Sequence, residues 1–171
     1  EVTAITHKAN AVMPSIISQV TPSESSVIKR VAYEPMYLNH LRNNLNLKCV
    51  KKVSLHEPLT NIRKVIFVQM EKGTPRTEVW RALNGASFLR ADSGKYVIAI
   101  DQDIDPDNAD SIFWAMAYRA NPIEDMQIIP HRARGHGPKT KHGGGEDSTL
   151  LIDATMKGDM SPLALPKKEY M

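Results

Sequence analysis

The sequence predicts an α/β fold, a mixed and partly parallel sheet flanked by helices, preceded by a lone N-terminal strand. Three observations carry this expectation. Short β-branched runs alternate with stretches of helical apolar spacing from Cys49 to Ile129. The run Val65 to Val68 is continuously apolar, as in a strand covered on both faces. Helical segments separate most of the strands, so the pairing is at least partly parallel, through right-handed crossovers.

The elements follow in order. Residues 1–7 read as a strand, with Val2, Thr3, Ile5 and Thr6 β-branched. Nothing in the next forty residues resembles a hairpin partner, and a lone strand cannot satisfy its own backbone. The expectation is therefore a fragment of a longer polypeptide whose sheet lies upstream. In TPSESSVIKRVAY, Thr21 is a helix cap, Pro22 suits the first helical position and Glu24 completes a capping box. Val27, Ile28 and Val31 form the apolar stripe, and Pro35 should kink or end the helix. A second helical stretch aligns Leu38, Leu41 and Leu45. Residues 49–56 and 63–70 read as strands. Thr74 and Pro75 open a helix to about Arg90 that buries Val79, Trp80, Leu83 and Phe88. Residues 95–100 form a strand, and Asp105 with Pro106 start a helix with Ile112, Phe113, Met116 and Ala117 inward. Residues 126–129 form a short strand, and from Pro130 onward the chain reads as loop-rich.

A chain of 171 residues, 42% hydrophobic and 24% charged, is globular and large enough for one sizeable core. Its apolar runs are too short to cross a bilayer, and the one cysteine, Cys49, agrees with a reducing compartment. No secretory signal pattern is present. The expected location is the cytoplasm, with no membrane partner. The net charge of +3 is uneven. Residues 101–110 carry five acids, whereas 131–142 carry four Lys or Arg, three His and no acid.

The acidic stretch IDQDIDPDNADSIFWAMAYR suggests calcium at first sight. Asp101, Asp103 and Asp105 fit the first three ligand positions of an EF-hand loop. Pro106 then stands where the turn glycine belongs, and Ile112 where the final Glu belongs, so that reading fails. Carboxylates at the end of a parallel strand also suit catalysis. The junction reading outweighs it, because Asp105, Asp107 and Asp110 match the preference of a helix start for negative charge. His131, His136 and His142 lack metal-ligand spacing. A triad built on Ser148 and Asp153 has no sequence geometry behind it.

Several stretches in order resemble one family, the UbiD-like decarboxylases that use prenylated FMN. ITHKANAVMPSI resembles the last strand of the family's central domain and its exit loop. TPSESSVIKRVAYEP resembles the helix that follows. KYVIAIDQDIDPDNADSIFWAMAYRANPIEDMQIIP resembles its strand, acidic junction, Trp-Ala helix and Arg-x-x-Pro exit, and GHG and LLIDATMKG its late loops. The resemblance implies that residues 1–20 are the leftover strand of an upstream split β-barrel, 21–159 a C-terminal α/β domain, and 160–171 a tail. It implies decarboxylation, or the reverse, of an aromatic or unsaturated acid, with a homo-oligomer as the working form. The catalytic Arg and Glu residues would lie upstream, as would the ligands of a manganese-like divalent metal and a monovalent cation. No catalytic or metal residue is expected here, so the fragment alone is expected to be inactive and to bind no cofactor.

By the same resemblance Ile28 lines the substrate pocket, and His131 and His136 lie in the loop at its far wall, His131 towards substrate and His136 towards cofactor. The chain departs from the ubiquinone branch in having Thr149, not Lys, four residues before Asp153. It is most similar to members acting on aromatic acids or their thioesters. The rival reading is a small α/β module whose basic 131–142 loop grips an anionic ligand or nucleic acid. No aromatic residue interleaves those cations, which argues against nucleic acid.

Overall fold

The computed structural model describes residues 1–16, 22–56, 64–134 and 146–159. The order is α1 (Glu24–Asn39), a π-helical turn (His40–Asn44), β1 (Val50–Leu55), β2 (Val65–Met70), α2 (Arg76–Phe88), β3 (Tyr96–Asp101), α3 (Ala109–Arg119), β4 (Met126–Arg132) and β5 (Asp147–Ala154). The strands form one sheet in the order β1-β2-β3-β5-β4. Pairs β2/β3 and β3/β5 are parallel, while β1/β2 and β4/β5 are antiparallel. The mixed α/β architecture is the one expected.

Side chains that alternate along the interior strands divide the core in two. Ile66, Val68, Val97, Ala99 and Leu151 meet Tyr37, Leu41, Val79, Leu83 and Ala86 from α1, the π-turn and α2. Phe67, Ile98, Ile100, Ile152 and Ala154 meet Ile112 and Ala115 of α3 on the other face. Gly85 lets α2 approach the π-turn closely, since a Cβ there would lie 2.4 Å from Leu45 Cδ1 and 3.0 Å from Leu41 Cδ2. Among the described residues no helix is long and apolar enough to cross a membrane.

Five local expectations are corrected. Residues 1–8 are not a strand but exposed chain outside any regular element, because nothing among the described residues pairs with them. The cap of α1 is Ser23, whose hydroxyl accepts the Ser26 amide at 3.3 Å, and Thr21 lies outside the described residues. Pro35 does not end α1. Its ring lies on an exposed face, where water can satisfy the Val31 carbonyl that loses its amide partner. The start of α3 moves from Asp105 to Asn108, whose side chain accepts the amides of Asp110 and Ser111. The loop-rich stretch after Pro130 contains β5, an interior strand, while Pro130 itself sits in the edge strand β4, where a missing amide is tolerated.

Helix faces also turn out differently. Val27, Ile28 and Val31 point outward, and α1 instead buries Ser26 and Tyr37. Phe88 and Phe113 are exposed, as is Ala117. The Arg132 guanidinium lies 5.1 Å over the Phe88 ring, so that face is occupied by a cation and not by core. These directions are testable by urea unfolding. Leu151→Ala, at a fully buried position, should cost about 2–5 kcal/mol. Ile28→Ala, 65% exposed, should stay within about 0.5 kcal/mol.

Candidate functional site

The carboxyl ends of the parallel strands are where α/β sheets usually present their chemistry. Here that end is closed by a buried ionic network. The Arg119 side chain is fully buried and donates to Asp103 from both terminal nitrogens, at 3.0 and 2.6 Å, and to Asp101 Oδ2 at 3.3 Å. Its guanidinium lies 5.0 Å over the Trp114 ring. The Met156 amide also donates to Asp101 Oδ2, at 2.5 Å. Lys157 Nζ donates to the carbonyls of Arg119 and Asp153, at 2.7 and 2.6 Å. The same nitrogen lies 3.4 Å from both Asp125 Oδ2 and Asp153 Oδ1. Asp125 is further held by Arg76 at 2.9 Å and by the Asn121 amide at 2.8 Å. Asp153 also accepts from the Thr155 hydroxyl at 2.6 Å. The starts of α2 and β4 and the ends of β3, α3 and β5 are thereby tied together.

Burial pushes the Asp101 carboxyl above the ordinary aspartate range. The Met156 amide and Arg119 pull it back, while Asp103 and Asp153 push it up. Every carboxylate of the network has a cation or an amide on it. Among the described residues no group of three or more His, Cys, Asp or Glu is arranged to hold a metal ion.

The rest of the acidic stretch serves the junction. The Asp105 carboxylate accepts the Asp107 amide at 3.0 Å, and its carbonyl accepts the Ser111 hydroxyl at 2.8 Å. Asp107 pairs at 2.9 Å with Arg30, which also holds Glu34 at 2.6 Å. Glu34 in turn accepts the Leu55 amide at 2.8 Å and so ties α1 to the end of β1. Sequence reasoning quoted Arg119 in the Arg-x-x-Pro exit and Lys157 in LLIDATMKG but gave neither a role, and it passed over Asp125, because each finds its partners only across elements distant in the chain.

Of the expected pocket residues, Ile28 and His131 lie at opposite edges of the sheet. Ile28 is on the outward face of α1, which packs on β1. His131 is in β4, the opposite edge strand, at a bulge where its φ is +59°. Its ring is exposed and bonded to Glu146. His136 lies outside the described residues. Of the basic loop, Arg132 is buried, donating to the Thr149 hydroxyl at 3.2 Å and to the carbonyls of Ser87 and Arg90. It is a core cation and not part of an anion-gripping surface.

With this architecture in view, the comparisons with known proteins are specific. The family model UbiD_C, described as the 3-octaprenyl-4-hydroxybenzoate carboxy-lyase C-terminal domain, matches residues 26–154. The chain belongs to the UbiD C-terminal domain family. Gallate decarboxylase of Lactiplantibacillus plantarum is 27% identical over an alignment taking in 94% of this chain and 34% of that enzyme. An anhydromevalonate phosphate decarboxylase of Aeropyrum pernix is 36% identical over 70 residues, 41% of this chain and 16% of that enzyme. The UbiD-class enzyme HmfF from Pelotomaculum thermopropionicum, solved with FMN, superimposes with a TM-score of 0.70 at 22% identity. That superposition covers 86% of this chain and 33% of HmfF, and it shows a shared fold. This UbiD domain thus spans about a third or less of the length of the relatives it matches.

The buried network makes a pH-dependent prediction. A carboxyl whose folded pKa lies above its unfolded value binds more protons when folded. The contribution of Asp101 is therefore full below about 3.8, the unfolded value, and lost as pH rises through the folded one. Arg119→Met removes a contact that lowers the folded value and leaves two carboxylates without their cation. It should cost about 3–5 kcal/mol near neutral pH and less near pH 4. Urea midpoints of variant and wild type across that range check this, and a penalty independent of pH would refute the coupling.

Proposed function

We propose that this UbiD domain is the C-terminal part of a decarboxylase that removes carbon dioxide from an aromatic or unsaturated carboxylic acid, or adds it in reverse, using prenylated FMN in the cytoplasm. The observation that carries the reading is the family match over residues 26–154, joined to an alignment with a gallate decarboxylase across 94% of the chain. Support for the cofactor comes from HmfF, whose solved structures contain FMN and prFMN. In this reading residues 1–20 complete the barrel domain that precedes the α/β domain of 21–159, and 160–171 form a tail.

In this reading the described residues form one wall of a reaction chamber. The wall is the outer face of α1, where Val27, Ile28 and Val31 stand exposed on successive turns. No described cluster is built to coordinate a metal ion, and the carboxylates at the carboxyl end of the sheet are committed to Arg119, Lys157 and Arg76. We therefore assign the flavin, the divalent metal, the monovalent cation and the catalytic Arg and Glu to a part of the enzyme outside this chain. What the chain supplies is an apolar face that excludes water from a carboxylate about to lose its charge. It also supplies a rigid platform for subunit contacts.

The test compares two preparations. The 171-residue chain given prenylated FMN should release no carbon dioxide from gallate or 3,4-dihydroxybenzoate, whereas the full-length enzyme should act on an acid of that class. In the full-length enzyme Ile28→Asp should lower kcat/KM by about 10–100-fold with the fold intact, because it places a charge where the substrate carboxylate must lose its own. Carbon dioxide released by the chain alone would overturn the assignment of the catalytic groups.

A further inference from the structure

The two halves of α1 are attached in different ways. Tyr33, Tyr37 and Leu38 pack in or against the core, and all three lie C-terminal to Val31. Pro35 stands among them and lacks the amide that would bond the Val31 carbonyl, so the halves are joined less stiffly than in an unbroken helix. The N-terminal half carries the outward Val27, Ile28 and Val31. Ser26, the buried residue of that half, accepts the hydroxyl of its own cap, Ser23, at 2.9 Å. Apolar packing thus aims the second half of the helix, and the first half needs another anchor.

Arg30 provides it. Its Nε donates to Glu34 Oε1 at 2.6 Å, and a terminal nitrogen donates to Asp107 Oδ1 at 2.9 Å. The same Glu34 oxygen accepts the Leu55 amide at 2.8 Å. One guanidinium therefore ties the helix both to the end of β1 and to the turn before α3. Its planar fork fixes the directions of both acceptors, which the point charge of a lysine would not.

The far end of this tie is itself fixed. Asp105 Oδ1 accepts the Asp107 amide at 3.0 Å, and the Asp105 carbonyl accepts the Asn108 amide at 3.1 Å. The amide of the fully buried Ile104 donates to the Asp101 carbonyl at 3.2 Å. Asp101 and Asp103 are both held by Arg119. The acidic stretch is a bracket that runs from the buried network at the end of β3 out to α1.

We propose that Arg30 is a positioning residue, which by holding Glu34 and Asp107 together sets where the face of Val27, Ile28 and Val31 stands against the substrate. This deepens the reading of α1 as a chamber wall and rests on it. The Arg30–Asp107 pair adds little to stability, because Asp107 is about half exposed. Its effect is on direction, and a displacement of about 1 Å in a site can cost up to about 100-fold in rate. Turnover and stability should therefore respond separately.

Two measurements test this. Hydrogen–deuterium exchange of the 171-residue chain reads the tie without catalysis. Arg30→Met should speed exchange across residues 26–34 by about three- to tenfold and leave 37–44 unchanged, with melting lowered by less than about 4 °C. Unchanged exchange, or an equal rise along the whole helix, overturns the proposal. In the full-length enzyme Arg30→Met should lower kcat by about tenfold with KM within about twofold. Asp107→Asn should give a smaller loss of the same kind, and the double variant should fall no further than Arg30→Met alone. If Arg30→Met fails to fold, Asp107→Asn gives both readouts. Losses that add, or a loss confined to KM, overturn the proposal. A full-length wild type without decarboxylase activity sinks the enzyme reading and the chamber role with it, while exchange decides separately whether Arg30 aims the helix.

Discussion

The arrangement depends on one interaction, the Arg119 guanidinium held between Asp101 and Asp103. Asp101 ends β3 with its side chain buried. An ionised carboxylate there is costly without a cation. Arg119 supplies it only if α3 returns to the end of β3. Once α3 is fixed, its last carbonyl takes Lys157, whose ammonium also grips Asp153 and approaches Asp125. The exit of β5 and the entry of β4 are set by that contact. The network brings together four carboxylates and three cations, Asp101, Asp103, Asp125 and Asp153 against Arg76, Arg119 and Lys157. Burial is the main reason the Asp101 carboxyl is raised, and the neighbouring charges of Asp103 and Asp153 add to it.

A welded end of this kind frees the outer surfaces to be unlike those of a self-sufficient domain. Helix α1 is turned inside out. Its inward face carries Ser26, Tyr37 and the Arg30–Glu34 pair, and its outward face carries Val27, Ile28 and Val31. Burying three such side chains is worth roughly 5 kcal/mol, which this chain leaves unrealised. Tyr37 in the core, with polar anchors beside it, holds the helix. Glu34 caps the Leu55 amide, Arg30 reaches Asp107, and the Arg90 guanidinium lies 5.4 Å over the Tyr33 ring. A helix secured by its polar side keeps its apolar side available to something else.

The sequence made the strand framework readable and misdirected the helix faces, for one physical reason. Apolar periodicity tells which residues share a face, and it does not tell which way that face points. Val65 to Val68 and Tyr96 to Ile100 were legible because a strand covered on both sides is apolar at every position. Strand β5 was not, because its short run Leu150 to Ile152 follows a glycine-rich basic stretch and is recognisable only by the neighbours that flank it. The start of α3 was blurred by three acids that each resemble a cap, when the geometry selects Asn108. For the site, resemblance drew attention to Ile28, whose exposure the pattern of Val27, Ile28 and Val31 would have denied. Arg119 and Lys157 stood inside quoted motifs without a role, because an Arg or Lys in sequence does not show which carboxylates it will meet.

The wall role proposed for α1 follows from how decarboxylation responds to its surroundings. Loss of carbon dioxide turns a localised carboxylate charge into a delocalised one, and water opposes that change by solvating the reactant better than the transition state. A wall helps by keeping water out and by adding no charge that would anchor the carboxylate. The outward face of α1 meets both conditions, whereas the end of the sheet, with its charges mutually satisfied, offers a substrate nothing to bind. The ion pairs that tie the ends of β3, α3 and β5 together also occupy the carboxylates of Asp101, Asp103, Asp125 and Asp153.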